Sequence, residues 1–294
     1  MKTRAERKKT LNEWLITLPP LAWLTLLFVI PTLIVFAITF KPVVPGTGDI
    51  GQGWTLATFR SLGNPNYPAI IWRTLWISLM NTVICTLLAV PAGYFIARLA
   101  PRARSIYMML VIIPFWTSFL IRIFAWKTLL HPEGAIHQAL AWLHLINPQA
   151  LLLYNAWTVL LVMVYTHLPF AILPVYAASE KFDFRLLEAA RDLGATPLRA
   201  FFAVFLPGIR RGLVTAILVV LIPSLGSYVI PDLMGGPSGE MIGNKIAQRT
   251  FVDRNLPHAS GLAALLTIAV LIPMAAALLL QNKQRPERMM TEDA

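Results

Sequence analysis

Apolar residues run along the chain in six long blocks, and polar residues collect between them. The blocks cover residues 14–40, 71–97, 106–130, 151–178, 213–232 and 259–280. A helix needs about 20 mostly apolar residues to cross a bilayer. The pattern therefore predicts six transmembrane helices in an all-α polytopic membrane protein. Proline falls inside several blocks, at Pro31, Pro91, Pro114, Pro169, Pro174, Pro223 and Pro273. Such breaks are tolerated where neighbouring helices satisfy the freed carbonyls, which predicts kinked spans in a packed bundle. The first block follows a basic segment, as the apolar stretch of a secretory signal does. It is too long for one and lacks a clear small-x-small cleavage site, so it is expected to be retained.

Composition agrees with this reading. The chain is 57% hydrophobic and 13% charged, where a soluble domain carries about 25% charged residues. Its mean hydropathy is +0.65. The formal net charge of +11 raises nucleic-acid binding as a reading. The basic residues lie between apolar blocks rather than along one face, so no nucleic-acid partner is expected. They read as topology signals. The groups Lys2, Arg4, Arg7, Lys8, Lys9, then Arg98, Arg102, Arg104, then Lys181, Arg185, Arg191, Arg199, Arg210, Arg211, and finally Lys283, Arg285, Arg288 put 17 of the 25 Lys and Arg residues on one side. The opposite loops hold Lys41, Arg60, Lys245, Arg249 and Arg254. By the positive-inside rule both termini are expected in the cytoplasm. The lone Cys85 permits no intrachain disulfide or cysteine metal cluster and reads as a small buried hydrophobe.

The polar stretch at 179–212 is longer than a turn and encodes helices of its own. Asp183 is placed to cap a helix over 185–193, with Gly194 in the left-handed position just past its end. Thr196-Pro197 reads as the cap and first residue of a second short helix that closes at Leu206-Pro207. Glu188 and Asp192 are like charges four residues apart on one helix face. Arg185 and Arg191 offset them only in part, which points to a partner surface; an amphipathic loop lying on the headgroups is the alternative.

Glu188-Ala189-Ala190, three residues, Gly194, nine residues, Val204, one residue and Leu206-Pro207 together resemble the EAA loop of ABC-importer permeases. That pattern is E-A-A-x3-G-x9-I-x-L-P, and Val204 in place of Ile is the one departure. The resemblance implies a coupling loop between the fourth and fifth spans, carried by Glu188, Ala189, Ala190, Arg191, Asp192, Gly194, Leu206 and Pro207. It also implies the partners: a cytoplasmic ATP-binding subunit in two copies, a second permease subunit, a soluble substrate-binding protein and membrane lipid. Small Ala189 and Ala190 suit the close approach of a helix seated in a groove. No G-x-x-x-x-G-K-[ST] occurs, and the nearest candidate, Gly239 to Lys245, has the wrong spacing and no Ser or Thr after its Lys. ATP hydrolysis is thus expected in a separate subunit, with no cofactor and no metal on this chain. The five histidines, His131, His137, His144, His167 and His258, form no H-E-x-x-H. The expected organisation is an N-terminal helix and extracytoplasmic segment over 1–69, a permease core over 70–281 with the coupling loop at 179–212, and a cytoplasmic tail over 282–294. A bacterial inner membrane is the implied location.

Two further stretches resemble the putrescine and spermidine permeases of that family. They are Pro114-Phe115-Trp116-Thr117-Ser118-Phe119-Leu120-Ile121-Arg122 with Phe124-Ala125-Trp126, and the run from Ile222-Pro223-Ser224 to Met234-Gly235-Gly236. A polyamine carries an ammonium at each end, so its passage calls for aromatic faces and carboxylates. Trp116, Phe124, Trp126 and Tyr228 are the candidate faces, and Asp232 the candidate charge at the outer end of the fifth span. Ser227 stands where polyamine relatives often carry Glu, which leaves the particular polyamine open. Arg122 and Lys127 would repel such a cargo and are expected to pair structurally or to face a docked protein. Asn81, inside the second span, is expected to hydrogen-bond between helices, a contact worth about 0.6 kcal/mol on average. A permease for another solute and an ion-gradient carrier acting alone are the rival readings. A membrane-embedded enzyme would need paired catalytic residues in the spans, and none is evident.

Overall fold

Every regular element among the described residues is helical, and their one strand-like pairing is an isolated bridge between Val43 and Ile50. The computed structural model describes residues 15–44, 47–63 and 65–282. The basic N-terminal segment (Lys2, Arg4, Arg7, Lys8, Lys9) and the basic tail (Lys283, Arg285, Arg288) lie outside the described residues. In chain order, α1 (Leu15–Thr39) precedes the short α2 (Ala57–Leu62) and the long α3 (Asn66–Ala97). Next come α4 (Pro101–Ile112), α5 (Phe119–Leu130), α6 (Ala135–Trp142) and α7 (Ala156–Glu180). The polar stretch folds as α8 (Arg185–Asp192) and α9 (Pro197–Gly208). Last are α10 (Arg210–Leu225), α11 (Val229–Met234), α12 (Ile242–Ala247) and α13 (Leu256–Asn282).

Among the described residues, α1, α3 and α7 are each long and apolar enough to cross a membrane, and two bent helix pairs pass the same test jointly. The third expected span, over 106–130, is not one helix. Beyond α4 the chain tightens into a 3-10 turn at Ile113–Trp116, turns extended at Thr117 and restarts as α5, bending by 89°. Pro114 stands inside the 3-10 turn, where its missing amide hydrogen removes the bond back to α4; its carbonyl accepts from both the amide and the hydroxyl of Thr117, at 3.4 and 2.8 Å, which closes the turn there. The fifth expected span, over 213–232, is also corrected. Its helix ends at Leu225, two residues after Pro223, and Asp232 sits on the separate α11. Two π-turns, Thr25–Val29 and Phe201–Phe205, each stand one residue before a proline, Pro31 and Pro207. A proline ring clashes with the carbonyl four residues back, and widening the turn moves that carbonyl aside.

The chain forms two compact units. The first comprises the described part of Met1–Pro65 with Lys245–Ile268. In it the Phe40 ring contacts Trp54 and Phe59, the Lys41 ammonium lies 4.4 Å from the Trp54 ring, and Ser61 Oγ meets His258 Nδ1 at 3.0 Å. The second comprises Asn66–Asn244 with the described part of Ala269–Ala294. Its centre is α3, α7 and α10 packed on one another. Glycines set two of these crossings. A Cβ on Gly93 would come within 2.8 Å of Val175 Cγ1, and one on Gly212 within 2.8 Å of the Pro174 carbonyl oxygen. Asn81 does hydrogen-bond between helices: its Nδ2 donates to Ser224 Oγ of α10 at 2.6 Å. Cys85, one turn along, is fully buried as expected.

Two apolar clusters fill this unit. One, around Cys85, Ala89, Val175, Phe205, Ile209 and Ala216, lies at the end of the helices that carries α8 and α9. The other gathers Ile77, Ile123, Val159, Met163, Ile230 and Met234, and joins α3, α5, α7 and α11.

Candidate functional site

The stretch at 179–212 is a knob closed at both of its helix ends. The Asp183 carboxylate accepts from the Arg185 amide at 3.0 Å at the start of α8. At the other end Gly194 has φ +88°. Its amide donates to the Arg191 carbonyl at 2.9 Å, and the Ala195 amide donates to the Ala190 carbonyl at 3.0 Å. These are the two bonds of a Schellman closure, which satisfies carbonyls that the helix end leaves free. The helix stops at Asp192, one residue short of the expected 185–193. Thr196 Oγ1 then accepts from the Arg199 amide at 3.3 Å, with Pro197 in the first helical position of α9. Leu206 and Pro207 close α9, and the chain turns by 71° into α10.

Glu188, Ala189, Arg191, Asp192 and Gly194 are exposed, and Ala190 is half-buried. Apolar side chains share this surface: Leu193 is 90% exposed, and Leu186, Leu198 and Phe202 are exposed as well. Under it lies an aromatic box that sequence reasoning missed. Tyr94 of α3 sits 4.9 Å from Phe205, 5.3 Å from Phe201 and 5.9 Å from Phe184, edge-on to each. Phe182 closes the group at 5.5 Å from Phe184 and 5.2 Å from Phe205. Arg98 donates to the Tyr94 hydroxyl at 2.8 Å and stacks over that ring and over Phe184. A cleft of about 90 Å³ opens here, lined by Arg98, Glu188, Arg191 and three of the box aromatics, Tyr94, Phe184 and Phe201. Aromatic pairs of this geometry contribute about 0.5–1.5 kcal/mol each beyond their area, so the knob is held rigidly to α3. The density of phenylalanine on both sides of a charged loop is the sequence signal for it.

The five candidates for a cargo path do not share one pocket. Trp116 ends the 3-10 turn and is 78% exposed. Trp126 packs against the second cluster, edge-on to Tyr165 at 5.4 Å, and lines an apolar cleft of about 520 Å³ with Leu130, Ile136 and Trp157. Phe124 lines a different cleft of about 440 Å³ with Lys127, His131 and Glu133. Tyr228 and Asp232 are brought together by Asn244. Its Nδ2 donates to the Tyr228 carbonyl at 3.1 Å and to Asp232 Oδ1 at 3.4 Å, while its Oδ1 accepts from the Met241 amide at 3.1 Å. Asp232 is exposed, so its carboxylate keeps open lone pairs. Arg122 does pair structurally, through cation–π contact 5.4 Å from the Phe115 ring. Among the described residues no three His, Cys, Asp or Glu side chains are grouped to hold a metal ion.

Known proteins give this geometry a context. The family described as binding-protein-dependent transport system inner membrane component matches residues 89–287. The spermidine/putrescine transport system permease protein PotB of Haemophilus influenzae is 35% identical over 266 residues, covering 89% of this chain and 93% of the relative. PotB of Escherichia coli K12 is 33% identical over 248 residues, covering 84% and 90%. The inner membrane ABC transporter permease protein YdcU of the same organism is 30% identical over 282 residues, covering 90% and 88%. Among solved structures, a chain of a bacterial ABC transporter importing the acidic polysaccharide alginate superposes with a TM-score of 0.71 at 18% identity, covering 95% of this chain and 97% of that one. That likeness is one of fold. With the family match spanning most of its length and relatives at 30% identity or more along nearly all of it, the chain belongs to the inner membrane components of binding-protein-dependent transport systems, the permease subunits of ABC importers.

Proposed function

We propose that this permease passes polyamines through the bacterial inner membrane, and that its knob at 179–212 is the contact for a cytoplasmic ATP-binding subunit. The observation that carries the cargo class is 33–35% identity to two spermidine/putrescine permeases along most of the chain. The cycle uses two ATP-binding subunits, a second permease and a soluble binding protein that delivers the polyamine; this chain itself is a transport subunit, not an enzyme. Six crossings are counted: α1, α3, the bent α4–α5 pair, α7, α10 with α11, and α13. The core is the 70–281 segment. Glu188, Ala189, Ala190, Arg191, Asp192, Gly194, Leu206 and Pro207 form or support the ATPase contact. Trp116, Phe124, Trp126, Tyr228 and Asp232 flank the path.

Uptake of labelled putrescine and spermidine by cells whose other polyamine importers are deleted tests the cargo. Expression of this chain with its neighbouring transport genes should restore saturable uptake of at least one of the two. An excess of unlabelled polyamine should compete, and an acidic sugar should not. Absence of any polyamine uptake in an assembled, ATP-hydrolysing complex would sink the assignment.

The orientation rests on the excess of Lys and Arg on one side, which places both termini and the knob in the cytoplasm. Reporter fusions after residues 45, 140 and 240 should read as extracytoplasmic, and fusions after 100 and 195 as cytoplasmic. One reporter on the wrong side breaks the six-crossing count.

A further inference from the structure

Arg104 stands in the first turns of α4 and does more than mark topology. Its Nη1 lies 2.7 Å from Glu180 Oε1, on the last residue of α7, where the chain leaves for the knob. Its Nη2 donates to the carbonyls of Ala97 at 3.0 Å and Leu99 at 3.4 Å, at the end of α3 and in the turn beyond. One guanidinium therefore ties three segments: the end of α3, the start of α4 and the entry to the knob. Tyr176, one turn back on α7, interacts with both Arg104 and Glu180. Directly beside it, α3 and α7 reach their close approach at Gly93 and Val175.

The exit of the knob is pinned too. A Cβ on Gly208 would run into the Phe182 ring, and one on Gly212 into Ala178 and Pro174 of α7. Entry and exit thus meet at the foot of the knob. The Arg104 and Glu180 side chains are 27% and 43% exposed. An ion pair that open to solvent contributes little to stability. Its planar fork, however, fixes geometry in a way that a flexible ammonium cannot.

We propose that Arg104 and Glu180 form a latch that passes displacement of the knob into α3 and α4. In this reading they are positioning residues, acting through the knob rather than as the ATPase contact or a cargo site. The inference rests on reading the knob as the ATPase contact. A knob that moves as a rigid body can drive the bundle only if its foot is fixed to the helices that must move. Arg104 joins that foot to two of them.

The test uses the full complex in nanodiscs or vesicles, with Arg104→Gln, Arg104→Lys and Glu180→Gln. Each variant should co-purify with the ATP-binding subunit like wild type and keep basal ATP hydrolysis. Uptake should fall about tenfold in Arg104→Gln, and stimulation of hydrolysis by loaded binding protein should disappear. Arg104→Lys should recover only part of it, because an ammonium cannot serve Glu180 and both carbonyls in one geometry. A second readout needs no ATPase. In the purified permease alone, trypsin should cut after Lys181 and Arg185 several-fold faster in Arg104→Gln.

Wild-type uptake in Arg104→Gln at matched expression overturns the latch, whatever the trypsin result. Loss of ATP-binding subunit association in that variant also overturns it, since the residue would then serve docking. Failure of the docking reading shows separately, as association that persists when the tip of the knob is altered at Gly194. In that case faster cutting in Arg104→Gln still supports the latch geometry, and unchanged cutting overturns it.

Discussion

Gly194→Val is expected to lower polyamine uptake by more than about tenfold while leaving the membrane helices in place. Gly194 holds φ +88°, and a Cβ there would meet nothing within 4 Å. Crowding is therefore not the issue. The cost is conformational: the left-handed region disfavours an L-residue by about 1–2 kcal/mol, and a β-branched side chain is a marked outlier there. Valine relieves it by leaving that region, which breaks the bonds from the Gly194 and Ala195 amides to the Arg191 and Ala190 carbonyls. Thr196-Pro197 then starts α9 in a different direction, and the surface carrying Glu188, Leu193 and Leu198 is lost. Uptake and co-purification of the ATP-binding subunit should fall together. Gly194→Asn should stay near wild type, since Asn tolerates the left-handed region. Wild-type uptake by the valine variant, at equal membrane levels, would remove the knob from the mechanism.

The caps of the knob are legible in the sequence because they are local. Asp183, Gly194 and Thr196-Pro197 each act on amides or carbonyls within a few residues, so type and spacing suffice. The aromatic box is not legible in that way. Tyr94 meets Phe184, Phe201 and Phe205 across about ninety to 110 residues of chain, and apolar periodicity shows which faces are buried, not which meet. Arg104 hides for a related reason. Counted among basic residues it orients the chain, but its partner Glu180 belongs to another helix. Hydropathy over 106–130 averages across Pro114 and cannot register an 89° bend, because the residues on both sides are equally apolar. Thr117-Ser118, two polar residues right after Phe115-Trp116, are the trace the bend leaves in the sequence. Gly226-Ser227 marks the end of α10 in the same way, and moves Asp232 off that helix.

That relocation makes Asp232 a cleaner test of cargo charge. Asp232 does not cap the turn at Gly235-Gly236 through its side chain; its carboxylate accepts from Asn244 at 3.4 Å, and the rest of it is open. In Asp232→Asn the new amide oxygen can accept from the same Asn244 Nδ2, so the links from Asn244 to Tyr228 and Met241 persist and the charge alone is removed. A carboxylate 4 Å from an ammonium gains about 4 kcal/mol at an effective dielectric near 20. Exposure to water screens this to about 1 kcal/mol, so initial uptake should fall roughly fivefold. Capture by the binding protein should not change, because it precedes entry into the membrane. Asp232→Glu should keep most activity, since the charge remains and the longer side chain still reaches the passage. If Asp232 matters only for the fold of α11, the order reverses: Asn preserves the Asn244 link and transports normally, while the extra methylene of Glu disturbs it. Initial rates for the two variants, at matched expression and several polyamine concentrations, separate these cases. An Asn variant with wild-type rates would leave recognition of the ammonium to the aromatic faces of Trp116, Phe124, Trp126 and Tyr228, whose cation–π attraction survives the loss of every carboxylate.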